Sequence, residues 1–310
     1  EEALLSLSLM AELDQSGEQA FEYVDNYYKI AKQPQHYLAA IWGSYALNNS
    51  LNKTQKELAL YNSLLTKDFD GSLLAMANSK IGAHYENIKN YRLADQAYNK
   101  IRSIDDWLIT GEFENISTSG FDKTYEVVDK PQLDAVFTGK RGLKFGWRKV
   151  PFLKHNKWFD FSFYSDFGNS ILFAQNFVQA PADIDAQLRI GVSGSVKVWV
   201  NDKLVITEAD ERNIDLDFYI STLKLKKGYN RILVQIGESY ASRSNFLLRI
   251  TDNKGKAIEG LNITTDVQAY QKETEFTPVR IEPPAVSYFK AELKKDPNNY
   301  LNRINQNIIN

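Results

Sequence analysis

From Leu4 to about Ile104 apolar residues recur at three- and four-residue intervals, the spacing of one face of a 3.6-residue helix. The pattern breaks near Asp14–Gly17, Gln33–Gln35, Asn48–Asn52, Asp68–Gly71 and Lys89–Asn90, which predicts six helices in three hairpins. After Asp105-Asp106 the helical period disappears. From Trp107 to about Tyr270, short runs alternate between Gly, Asn, Asp and Pro: Leu188, Ile190 and Val192 against Arg189 and Gly191; Ile232, Val234 and Ile236 against Leu233 and Gln235; Phe246, Leu248 and Ile250 against Leu247 and Arg249. Roughly eight to ten such strands, with no helical period between them, predict two packed antiparallel sheets, and a jelly roll in particular. The sharpest local signal is Val196-Lys-Val-Trp-Val-Asn-Asp-Lys-Leu-Val-Ile206. Val196, Val198 and Val200 fall on one face of a strand and Lys197 and Trp199 on the other, while Asn201-Asp202 can take the positive φ of a two-residue hairpin turn. Past Thr277-Pro278 and Pro283-Pro284 the helical period returns through Ala285, Phe289 and Leu293.

The expected fold is therefore multidomain, with α and β parts: α-helical hairpins over 1–104, an antiparallel β-sandwich over 107–270, and the start of a further helical repeat over 283–310. At 310 residues the chain exceeds the size at which one hydrophobic core keeps growing, in keeping with two or three domains. A formal net charge of −2 supplies no field for a polyanion, so nucleic acid is not an expected partner. No window reaches the 18 or so apolar residues that a transmembrane helix needs. The absence of cysteine removes disulfides, thiolate metal sites and a thiol nucleophile, and leaves the compartment open. The chain starts Glu-Glu-Ala, and Asn299–Asn310 falls inside a predicted helix; the expectation is a piece of something longer, with any export signal outside it.

Asn78, Ile81, Gly82 and Tyr85, followed by Ala94, Tyr98 and Ile101, resemble the tetratricopeptide repeat, where small residues at a helix crossing let two helices approach and large ones fill the gaps around them. Leu4, Leu7, Ser8, Ala11, Ala20, Val24 and Tyr27 fit the same register, and Ala39, Trp42 and Gly43 fit it with a longer spacing to Gly82. Ala285, Phe289, Leu293 and Pro297 match the second helix and closing proline of such a repeat. The resemblance implies a concave groove for a protein or peptide partner, lined by Tyr37, Ala40, Ser44 and Leu47 and by Met76, Ser79, Ala83, Glu86 and Asn87. Packing against the β domain or against a missing neighbour repeat is the alternative role for those positions.

In the β-rich region, Val198-Trp-Val-Asn-Asp-Lys203, then Leu223–Leu225, then Lys227-Gly-Tyr-Asn-Arg-Ile-Leu-Val234, resemble the "V-W-x-N-G-K" hairpin and "L-K-x-G-x-N" turn of galactose-binding-like jelly-roll modules. The resemblance covers about Ser170–Gly255 and implies a β-sandwich more than it implies sugar binding, because both motifs specify turns. Trp107-Leu-Ile-Thr-Gly-Glu-Phe-Glu-Asn115, with Gly120-Phe-Asp122 and Gly146-Trp147, is similar to segments of envelope-associated tetratricopeptide proteins of Bacteroidetes type, some of which continue into a transglutaminase-like domain. That implies a periplasmic or cell-envelope location.

For a ligand surface, strand alternation over Trp158-Phe-Asp-Phe-Ser-Phe-Tyr164 places Phe159, Phe161 and Phe163 in the core and leaves Trp158 and Tyr164 as aromatic platforms for a sugar ring. The segment Glu238–Asn245 offers Tyr240, Arg243 and Asn245 as a polar rim, or is a plain solvated hairpin loop. Asp183 and Asp185 have the oxygen chemistry for calcium, short of the six to eight oxygens that the ion takes. No other cofactor is expected. The three histidines, His36, His84 and His155, have no shared helix face, and no nucleophile elbow, phosphate loop or His-Glu-x-x-His is present. The expected function is a non-enzymatic binding or scaffold protein. The alternatives are a carbohydrate-binding module of a polysaccharide-processing protein and the non-catalytic front of a transglutaminase-like enzyme, whose catalytic domain would lie downstream.

Overall fold

A computed structural model describes residues 1–31, 34, 36–37, 54–151, 155–164, 168–240 and 244–309. The chain divides into two compact units, one of Glu1–Ile101 with Glu282–Asn310 and the other of Arg102–Ile281.

The described residues of the helical unit form α1 (Glu2–Leu13), α2 (Gly17–Ile30), α3 (Thr54–Leu64), α4 (Gly71–Asn87), α5 (Tyr91–Asn99), α6 (Pro284–Lys295) and α7 (Tyr300–Ile309). Their starts follow from the sequence. The Asp70 carboxylate accepts from the Ser72 backbone N–H at 2.8 Å, and the Asn90 side chain accepts from Leu93 N–H at 3.4 Å, each satisfying a donor that the first turn leaves over. Pro284 opens α6 at a position where a missing N–H is harmless. α1 packs on α2, α4 on α3 and α5, and α6 on α7. One core joins Leu5, Phe21, Val24 and Tyr27 with Leu60, Leu64 and Leu73, and draws in Ala285 and Phe289 of α6. The C-terminal helices, expected to begin a new repeat, thus share a core with the first ones. No described helix is long and apolar enough to cross a membrane.

The β unit is built from fourteen described strands: β1 (Ser103–Ile104), β2 (Leu108–Glu114), β3 (Phe137–Thr138), β4 (Lys144–Phe145), β5 (Arg148–Lys149), β6 (Phe159–Asp160), β7 (Ser170–Ala180), β8 (Ile184–Val200), β9 (Lys203–Asn213), β10 (Tyr219–Leu225), β11 (Gly228–Glu238), β12 (Asn245–Thr251), β13 (Asn262–Thr264) and β14 (Arg280–Ile281). All but β3 and β4 belong to one large antiparallel sheet running β1-β12-β8-β11-β7-β2-β5. The 17-residue β8 curls it. One edge of β8 pairs with β12 through Gln187–Ser193 and then with β11 through Ser195–Val200; the other pairs with β10 through Ile184–Ile190 and then with β9 from Ser193 onward. Gly194, at φ 119°, marks the change, and the register to β9 shifts beside it. A β-carbon there would lie 2.5 Å from the Gly237 carbonyl oxygen, so only glycine fits.

Curling gives the sheet an inside. Leu188, Ile190 and Val192 from the first half of β8 and Val196, Val198 and Val200 from the second share a core with Ile232, Val234 and Ile236 of β11 and Phe246, Leu248 and Ile250 of β12. The result is a sandwich-like antiparallel fold in a mixed α and β protein. The Asn201-Asp202 turn has φ of 51° and 66°, as its sequence predicts. Outside the sheet, Tyr125, Val127, Phe137 and Trp147 pack with Phe113, Phe173 and Leu233 into a second core. Buried polar side chains hold down the chain that carries those residues. Arg231 Nε donates to Gln175 Oε1 at 3.0 Å and its Nη2 to the Val127 carbonyl at 2.9 Å; Gln235 and Lys197 both donate to the Phe121 carbonyl, at 3.1 and 2.8 Å. Backbone carbonyls that would otherwise be buried without partners are satisfied by residues on the sheet.

Candidate functional site

Two segments far apart in the sequence meet at one end of the β unit. Asn245 pairs with Asp160 and Phe246 with Phe159, and the Phe161 N–H donates to the Ser244 carbonyl at 2.9 Å. The aromatic run 158–164 and the described residues 238–240 and 244–245 of the loop segment therefore share one rim.

The side chains on that rim differ from the alternation expected of a strand. The Asp160 carboxylate accepts from both the Ser162 N–H, at 3.0 Å, and its hydroxyl, at 2.6 Å. This local bond turns Phe161–Phe163 into a 3₁₀ turn. Phe159 and Phe161 stay in the core as predicted, whereas Phe163, assigned there too, is 53% exposed. Trp158 is half-buried, and so is Tyr164, which stacks on Phe159 with ring centroids 5.4 Å apart and donates its hydroxyl to the Pro151 carbonyl. Tyr240 is 76% exposed and Asn245 is buried. Arg243 lies outside the described residues. The exposed aromatic rings of the rim are thus Phe163 and Tyr240.

Charged groups that were not singled out beforehand lie beside residues 238–240 of this rim. Glu211 Oε2 accepts from the N–H groups of Ser239 and Tyr240, at 2.9 and 2.8 Å, and fixes the start of the loop. The Ser239 hydroxyl donates to the Asn115 carbonyl at 2.8 Å and accepts from Thr118 N–H at 3.0 Å. Glu238 is buried and accepts from Asn169 N–H at 3.1 Å. Burial raises its carboxyl above the ordinary range and the Glu211 charge adds to this, opposed by the Asn169 bond and by Lys140. Lys140 Nζ reaches the Gly168 carbonyl at 2.5 Å and the Ser170 hydroxyl at 2.6 Å. Glu238 was legible: Ile232, Val234 and Ile236 face the core, and Glu238 comes next in the same phase. Carboxylates, an ammonium group and aromatic faces together can hydrogen-bond hydroxyl groups and stack against C–H surfaces.

The other candidates are scattered. Tyr37 is buried in the helical core, where its hydroxyl donates to Asn302 Oδ1 at 2.6 Å. Met76, Ser79, Ala83 and Glu86 are half-buried and Asn87 exposed along α4, with Glu86 Oε2 accepting from the Tyr98 hydroxyl at 2.7 Å. Ala39, Ala40, Trp42, Gly43, Ser44 and Leu47 lie outside the described residues. Asp183 and Asp185 are exposed, and Asp183 accepts from Lys227 N–H at 2.8 Å. Among the described residues no three His, Cys, Asp or Glu side chains gather as metal ligands do.

The fold defines a mixed α and β protein carrying a curled antiparallel sheet. No family model matches the chain, and no curated protein matches it. Among solved structures it is similar to the β-glucosidase of Kluyveromyces marxianus in complex with glucose, at 16% identity and a TM-score of 0.27, over 49% of this chain and 17% of that one. A selenomethionine form of that β-glucosidase gives 24% identity and a TM-score of 0.25, over 37% of this chain and 13% of the other. The chain thus spans under a fifth of the length of the structures it matches.

Proposed function

We propose that this chain is a non-enzymatic binding or scaffold protein whose β unit takes a carbohydrate at the rim formed by residues 158–164, 238–240 and 244–245. One observation carries the reading: segments some eighty residues apart are hydrogen-bonded side by side there, at Asn245 with Asp160 and at Phe161 with Ser244. Phe163 and Tyr240 supply the exposed rings that the sequence had assigned to Trp158 and Tyr164. A cell-envelope location belongs to the same reading through the resemblances described above. So does a protein partner on α4, where Met76, Ser79, Ala83, Glu86 and Asn87 recur at helical spacing.

A glycan array probed with the whole chain, with calcium and with chelator, tests it. A saturable hit is expected, and Phe163→Ala and Tyr240→Ala are each expected to weaken it about tenfold, the effect of roughly 1.4 kcal/mol. Silence in both conditions overturns the rim and leaves the α4 face, where Met76→Glu is then expected to abolish capture of a protein partner.

A further inference from the structure

The helical unit holds a second concave site, independent of the rim. Its first helices and its last two border a cavity of about 380 Å³, within the range of small-molecule sites. The wall carries three tyrosines, Tyr27, Tyr37 and Tyr288, and the carboxylates Glu1, Glu2, Glu292 and Asp296. Lys295 is the one basic residue among the described residues of this wall, and its ammonium group is 2.6 Å from Glu292. Glu2 and Asp296 therefore leave negative charge over. Glu2 Oε1 accepts a bond from the Asn299 amide at 3.2 Å, which holds that carboxylate at the wall.

Tyr27 adds an observation of another kind. It is 1% exposed, lines the cavity, meets Tyr37 edge-on with ring centroids 5.6 Å apart, and its hydroxyl makes no hydrogen bond to any described residue. A tyrosine so deeply set ordinarily spends its hydroxyl on a partner, and here that hydroxyl opens on the cavity instead. Tyr37, beside it, is already engaged with Asn302. The cavity thus combines surplus carboxylate charge, electron-rich ring faces and a hydroxyl oxygen with nothing yet to accept. An anion would be repelled, and a neutral apolar molecule would desolvate the carboxylates without compensation. A group that donates N–H bonds, carries positive charge and brings an aliphatic body answers all three features.

We propose that this cavity binds an organic cation, an ammonium or guanidinium group on an aliphatic stem. The same chemistry is offered by a free diamine or basic amino acid and by a Lys or Arg side chain of a protein partner. Titration calorimetry of the whole chain with cadaverine, with L-arginine and with a short peptide carrying one arginine separates these sources; L-glutamate is the negative control. Saturable binding of at least one cationic probe is expected. Binding of cadaverine or arginine alone points to a free ligand, and binding of the peptide alone to a partner's side chain. The double variant Glu2→Gln, Asp296→Asn is expected to lose at least about tenfold in affinity. Tyr27→Phe, which keeps the ring and its packing, is expected to lose several-fold with an unchanged circular dichroism spectrum. The rim variant Tyr240→Ala is expected to bind as the parent does. No saturable binding by any cationic probe, or equal binding by the parent, the double variant and Tyr27→Phe, would sink the proposal.

Discussion

A methyl group added at Gly82 would lie 2.4 Å from Cε1 and 2.5 Å from Cδ1 of Tyr98, a fully buried ring with no room to retreat. Alanine favours a helix over glycine by about 1 kcal/mol, but overpacking a filled core costs about 1–3 kcal/mol. Gly82→Ala is therefore expected to lower stability by up to about 2 kcal/mol in urea unfolding; a gain would show that α4 and α5 can separate cheaply. Glu238 allows a test by pH. Its folded carboxyl titrates above the unfolded value, so the folded state binds the extra proton. Its share of stability is fully present below about pH 4.5 and is lost as pH rises through the raised folded value. Glu238→Gln is neutral throughout and is expected to melt higher relative to the parent at pH 7 than at pH 4. An equal difference at both values would show that Glu238 ionises as it does in the unfolded chain.

At the scale of elements, the turn between β10 and β11 depends on Asn230. This buried amide donates to the carbonyls of Lys226 and Gly228 at 2.8 and 3.1 Å, and its oxygen accepts from Lys226 N–H and from the Asn201 amide, both at 2.8 Å. Asn201 in turn accepts from Arg231 N–H at 3.0 Å, so the two turns recognised in the sequence are one hydrogen-bonded unit. Asn230→Ala strands several buried groups and is expected to cost about 2–3 kcal/mol in denaturant unfolding of the β unit. Such turns are legible because their residue types are set by local geometry. The same holds for β8, β11 and β12, whose alternation of apolar and polar residues survives in the structure. The run 158–164 alternates just as well, yet one Asp160-to-Ser162 bond broke the strand and turned Phe163 outward. Period alone does not reveal a side chain competing for the backbone. The curl of the sheet was hidden for a related reason, since it rests on a change of partners along β8 and pairing leaves no mark in one strand's own sequence.

At the scale of the whole molecule, the helical unit is assembled from both ends of the chain, and Phe289 of α6 is fully buried in a core with Tyr37 and Leu5. Phe289→Ala is expected to remove about 3–5 kcal/mol from the helical unit. In calorimetry of the two-unit chain, one transition should fall and the β unit's should stay where it was; a joint fall would mean that the units unfold together. The helices of 283–310 were readable from their period, while their return to the first helices was not, because helical spacing marks an inward face without naming what covers it. That return also imposes an order on synthesis. Arg102–Ile281 is 180 residues, the span from 102 to 281 inclusive, and at ribosomal speeds of about 5–20 residues per second it takes roughly 9–36 s to make. For that interval the face of the first helices awaiting Phe289 is a nascent surface without its own cover, and a ribosome stalled inside the β unit would leave it so.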